Sequence, residues 1–135
     1  MPDEGTSGKG ILLDTSILIE ILRGNATVQS RLDRLLDEGF TLATSAVCVA
    51  ELYAGMRVGE EERTSRLFRL LDCLPLSGEI AKVAGDLRVS CAKEGRTHTL
   101  VDLMIAATAL HAGYLVATEN KRDFGIPGLS IAAIS

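Results

Sequence analysis

Along this chain, short apolar runs alternate with longer segments in which apolar residues recur every three or four positions. The runs fit strands, and the longer period fits helices that pack by one face. Ile11 to Asp14 reads as a first strand, followed at once by a helix from Ser16 to Arg23 that Gly24 stops. "VQSRLDRLLDEG" sets Val28, Leu32, Leu35 and Leu36 on one helical face, with charges elsewhere. "FTLAT" is a second strand, after which Ser45 caps a helix to about Val58. A further helix from about Glu60 to Leu71 turns Leu67, Leu70 and Leu71 inward. "CLPLS" supplies a third strand, with Ser77 capping a helix to about Lys93. Leu100 to Ala112 is apolar almost all round, as a fully buried helix is. Tyr114 to Thr118 is a fourth strand, "NKRDFG" a turn and "LSIAAI" a fifth strand. This alternation predicts an α/β fold: a central parallel five-stranded sheet with helices on both faces. Sites in such sheets lie beyond the carboxyl ends of the strands, where Asp14, Asn120 and Asp123 fall.

The 135 residues, 47% hydrophobic and without linker or repeat, suit a single core spanning residues 10–135. Residues 1–9, "MPDEGTSGK", are polar, lack the apolar core of a signal peptide and read as a flexible tail. The most apolar stretch, "TLVDLMIAATALHAGYLVAT", contains Asp, His and Gly, which disfavours a membrane span and leads us to expect a soluble cytoplasmic protein. Cys48, Cys73 and Cys91 are odd in number, widely spaced and next to apolar residues, which suggests buried thiols rather than disulfides or zinc ligands. A net charge of −4 does not point to a nucleic-acid binder, since non-specific phosphate affinity comes from a surplus of Lys and Arg.

The informative residues are acids that their surroundings do not explain. Asp33, Asp37 and Glu38 sit among arginines, Glu60 to Glu62 open a helix, and Asp86 follows Lys82 by four. Glu51 has only Val47, Cys48, Ala54 and Gly55 at helical spacing, and Asp102 shares its face with Ile105, Ala106 and Ala109. Thr99 and Asp102 also have capping-box spacing, and Asp14 is placed to cap the helix it precedes. Three acids from distant segments at one sheet edge would repel strongly, by about 4 kcal/mol for a pair about 4 Å apart in an effective dielectric of about 20. Protonation or a bound cation relieves that repulsion. A carboxylate set without His or Cys selects a hard ion, Mg²⁺ or Mn²⁺. His111 reads as a helix C-terminal residue and His98 as a loop residue, and neither completes a zinc or Ser/His/Asp site.

These segments resemble the PIN-domain ribonucleases, and among them the VapC-type toxins of toxin-antitoxin pairs. The likeness rests on four stretches in order, "LLDTSILIEIL", "SAVCVAELYAGM", "TLVDLMIAATAL" and "LVATENKRDF". It implies Asp14, Glu51 and Asp102 as the acids, with Asn120 at a position that is Asp in many relatives and Asp123 close by. Thr15, Ser16 and Thr118 match hydroxyl positions that orient the cluster. The implied reaction is hydrolysis of an RNA phosphodiester to 5′-phosphate and 3′-hydroxyl ends, with Asp14 and Asp102 binding Mg²⁺ or Mn²⁺ and Glu51 joining directly or through water. The implied partners are a second copy of the chain and a cognate VapB-type antitoxin, in a heterotetramer or larger, with no membrane.

Arg23, Arg57, Arg96, Lys121 and Arg122 flank the motifs and are the expected RNA contacts. The five aromatic residues favour recognition of RNA shape or a structured loop over stacking along a strand. Rival readings remain: an RNA-processing nuclease without an antitoxin, or a degenerate domain of this fold that only binds. An aspartyl-nucleophile hydrolase would place a second acid where Ser16 stands, and a receiver module would need an acid pair after the first strand.

Overall fold

The structure is a computed structural model that describes residues 9–132 and 134. The proposed tail lies outside these residues apart from Lys9, whose carbonyl accepts from the Thr41 amide at 3.0 Å. Five parallel strands form one sheet in the order β3-β2-β1-β4-β5. They are β1 Gly10–Leu13, β2 Thr41–Ser45, β3 Asp72–Leu74, β4 Leu115–Ala117 and β5 Ile131–Ala132. Between them run α1 Thr15–Leu22, α2 Ala26–Asp37, α3 Ala46–Ala54, α4 Glu61–Arg69, α5 Gly78–Lys93 and α6 Leu100–Ala112, with a 3₁₀ turn at Lys121–Phe124. The expected α/β class and the five parallel strands are both present.

β1 is the central strand, and Ile11, Leu12 and Leu13 are wholly buried, as a strand covered on both faces requires. Its start is tightly packed. A Cβ on Gly10 would sit 2.3 Å from the Tyr114 ring, so only glycine fits there. α6 buries Leu103 and the run Ile105 to Ala109, and ends at Gly113 in a left-handed conformation (φ 74°) that favours glycine. β1 pairs with β2 on one side and β4 on the other, so the strand order reverses at β1 and β4. Their carboxyl ends therefore define the switch point.

Several local expectations change. α3 stops at Ala54, not near Val58: the Gly55 amide makes the last four-residue helical bond, to the Glu51 carbonyl, and the Met56 amide then closes a tighter three-residue turn onto Tyr53. The following helix ends at Arg69, leaving Leu70 77% exposed, and Leu36 is 50% exposed at the rim of α2. β3 is only three residues, ending before Pro75, which cannot donate to a ladder. β5 is shorter than "LSIAAI", and Ala133 lies outside the described residues. Cys48 and Cys91 are buried, whereas Cys73 is exposed. Asp33 accepts from Gln29 rather than from an arginine, while Lys82 pairs with Asp86 at 2.8 Å as its spacing predicts. Among the described residues no helix is long and apolar enough to cross a membrane.

Candidate active site

Asp14 stands one residue beyond β1. Its amide donates to the Ala117 carbonyl at 3.1 Å, extending the β1–β4 ladder, and its side chain is 4% exposed. Its carboxylate caps α1, with Oδ1 accepting from the Ile17 amide at 3.2 Å and the Ser16 hydroxyl at 2.6 Å. Burial pushes this carboxyl above its ordinary range, while the hydroxyls of Ser16 and Thr118 and the Ile17 amide pull it back. The helix cap and the candidate site acid are thus one side chain.

Two hydroxyls tie β1 and β4 together at this point. Ser16 Oγ donates to Asp14 and accepts from the Glu119 amide at 2.9 Å, across 103 residues of chain. Thr118, buried, lies beside Asp14 and accepts from the Asn120 amide at 2.9 Å. A third hydroxyl reaches the neighbouring helix: Thr15 Oγ1 donates to Glu51 Oε1 at 2.7 Å. Glu51 itself is exposed on α3, which Ser45 starts by accepting the Cys48 amide at 3.1 Å.

Asp102 lies in the first turn of α6, where Thr99 Oγ1 accepts its amide at 3.1 Å. Partial burial raises its carboxyl above the usual range first of all, with the Thr99 hydroxyl opposing; the charges of Asp123, Glu51 and Asp14, in that order, raise it further. Four acids from β1, α3, α6 and the 3₁₀ turn therefore share one electrostatic neighbourhood. Asp123 enters it through the turn, where its amide donates to the Asn120 carbonyl at 3.0 Å. Asn120 is exposed and makes no side-chain cap.

Among the described residues no three His, Cys, Asp or Glu side chains stand close enough to form a ligand group for a metal ion, so what the four acids share is a mutual electrostatic influence rather than a closed cage. The donors available there are carboxylate oxygens, the set that suits a hard divalent cation rather than zinc or copper. His98 is buried with Nε2 unpartnered among the described residues, and His111 is exposed in the last turn of α6.

The model of the PIN domain family matches residues 11–125, which takes in all four acids. The chain belongs to the PIN-domain family. Within it the likeness is to VapC ribonucleases. Ribonuclease VapC10 of Mycobacterium tuberculosis strain H37Rv is 34% identical, with 87% of this chain and 96% of the relative covered. VapBC2 of Rickettsia felis, solved on a promoter DNA fragment, is 25% identical with a TM-score of 0.79 over 91% of this chain and 97% of that one. DNA-bound VapBC of Salmonella typhimurium is 26% identical with a TM-score of 0.77, over 91% and 96% of the two chains. The PIN likeness inferred from four short motifs holds across the fold.

Of the expected RNA contacts, Arg23 and Arg57 line a cavity of about 390 Å³ beside Glu51, and Lys121 and Arg122 sit exposed in the 3₁₀ turn. Arg96 is engaged within the fold, pairing with Glu94 and donating to the Gly125 carbonyl at 3.0 Å. The cavity contains a residue the sequence reading passed over, Thr64, buried on α4. Its signal was present in "EERTSRLFR": Thr64 precedes the core residue Leu67 by three and so shares its inward face.

Proposed function

We propose that this PIN domain, assigned to residues 10–135, is the toxin of a toxin-antitoxin pair, an endoribonuclease that hydrolyses RNA phosphodiester bonds with Mg²⁺ or Mn²⁺. The observation that carries the reading is Asp102, whose carboxyl is raised by burial first and then by the charges of three other acids drawn from separate elements. Such a cluster is unfavourable unless a cation shares it. Asp14, Asp102 and Glu51 are the residues that would hold the ion, with Asp123 rather than Asn120 as the fourth acid. A bound divalent cation supplies positive charge opposite the scissile phosphate and makes a nearby water more acidic.

The chain's own residues do the positioning. Ser16 and the Ile17 amide fix Asp14, so its carboxylate enters the site oriented. The Thr15 hydroxyl donates to Oε1 of Glu51, which leaves Oε2 for a cation. Thr99 accepts the Asp102 amide into the cap, and its hydroxyl steadies the Asp102 carboxylate at the start of the helix. Arg23, Arg57, Lys121 and Arg122 supply the local cations that a chain of net charge −4 needs to hold RNA. The VapBC relatives support a VapB-type antitoxin as partner; a homodimeric toxin, a larger complex with the antitoxin and action in the cytoplasm are part of the same proposal.

Labelled RNA incubated with purified, antitoxin-free protein tests the reading. Cleavage that requires Mg²⁺ or Mn²⁺ and leaves 5′-phosphate ends is expected. Cleavage that persists in chelator, or 2′,3′-cyclic ends, would overturn it.

A further inference from the structure

We infer that the cavity beside Glu51 is a nucleobase pocket, which takes one unstacked base of the RNA next to the bond that is cut. The inference rests on the nuclease reading of the adjoining acids and deepens it. The cavity, about 390 Å³, lies between α1, α3 and α4 and begins at Thr15 and Glu51 themselves. It therefore opens from the cleavage site rather than from a separate face. Leu52, Ile19, Leu22 and Met56 give it apolar walls, and the exposed arginines Arg23 and Arg57 line it as well.

Thr64 decides what such a space accepts. It is 2% exposed, and its amide donates to the Glu60 carbonyl in the ordinary helical way. Its hydroxyl does not bond back to a helix carbonyl as that of Thr108 does, which donates to the Met104 carbonyl at 2.8 Å, and it is not among the fully enclosed unpartnered atoms of the described residues, which fits a hydroxyl that reaches the open space of the cavity. The cavity thus holds one hydroxyl, able to donate or accept, among apolar walls. An aliphatic peptide side chain would fill the walls and leave that hydroxyl unsatisfied. A base has apolar faces for Leu52 and Met56, ring-edge donors and acceptors for Thr64, and a π-face on which a guanidinium can stack. The same nucleotide carries a phosphate for Arg23 or Arg57.

The test is a pool of RNA oligonucleotides of random sequence, cut by antitoxin-free protein with Mn²⁺, with the new ends sequenced. One base should be favoured at one position flanking the cut, by about tenfold. Thr64→Val keeps the shape, removes the hydroxyl and should flatten that preference. Gly55→Leu should flatten it too, because Gly55 lines the cavity and its added Cβ would meet nothing nearer than the Glu51 carbonyl at 3.7 Å. An even profile in the natural protein, or one unchanged in both variants, overturns the inference while leaving the nuclease reading intact. Variants that lose antitoxin binding with an unchanged profile also overturn it, since the cavity then serves a protein partner. If no RNA is cut, the nuclease reading has failed, and the pocket is judged separately by NMR titration of the metal-free protein with nucleoside monophosphates. Shifts of the Thr64 and Gly55 amides would sustain it, and their absence would end it.

Discussion

Thr15 and Glu51 are joined by a 2.7 Å hydrogen bond across 36 residues of chain, from the hydroxyl of one to Oε1 of the other. Because Thr15 directly follows Asp14, this bond sets the distance between the α3 acid and the strand-end acid. Glu51 is otherwise an exposed side chain with many rotamers open to it. Thr15 is thus a positioning residue. Thr15→Val should lower kcat on RNA by about 10- to 100-fold with little change in KM, since small misplacements at a reacting centre cost that much. Thr15→Ser, which keeps the hydroxyl, should restore most of the rate. Equal loss in both variants would show that the methyl group's packing, and not the bond, matters.

Asp14 and Asp102 carry a pH dependence whose sign follows from their environment. The fold raises both carboxyls, by burial first and, for Asp102, by the charges of the other acids. A raised acid favours the folded state when protonated, so its contribution is fully present below the unfolded value of about 4 and lost as pH rises through the higher folded value. At neutral pH both ionised groups therefore weaken the metal-free protein. Asp102→Asn should raise its melting temperature by a few degrees at neutral pH in chelator, and this gain should vanish by about pH 4, while activity is abolished. Thermal melts at the two pH values check it. A lower melting temperature at neutral pH, or full activity in the variant, would contradict the assignment.

Asp123 and Asn120 compete for the fourth place. Asp123 is the largest of the charges acting on Asp102, whereas the Asn120 side chain caps nothing. Asp123→Asn should reduce activity by about 10- to 100-fold, the usual cost of losing an outer partner of a metal site, and Asn120→Ala should change it little. Steady-state kinetics of the two variants decide the matter, and the reverse order of effects would return the role to Asn120.

Much of this was legible in the chain because the signals were local. Ile11 to Leu13 announce a buried central strand, Ser45, Ser77 and Thr99 announce their helices, and Asp14, Glu51 and Asp102 stand out for lack of neighbours. What the sequence hid depends on distant partners. Nothing near Ser16 tells that its hydroxyl accepts from Glu119, and nothing near Gly10 tells that the Tyr114 ring covers it. Helix ends at Gly55 and the exposure of Leu70 were misjudged because periodicity continues past the point where the tertiary contacts stop. Asp14 is placed by its sequence to cap the helix it precedes, and one carboxylate oxygen does so while the group as a whole sits at the sheet's switch point.

Calorimetric titration of Mn²⁺ into the natural protein and into Asp102→Asn, both free of antitoxin, addresses the acid cluster most directly. Saturable binding in the first, lost or weakened at least about tenfold in the second, is the result expected of a shared cation site. The same affinity in both proteins would place the ion elsewhere and contradict the role given to Asp14, Glu51 and Asp102.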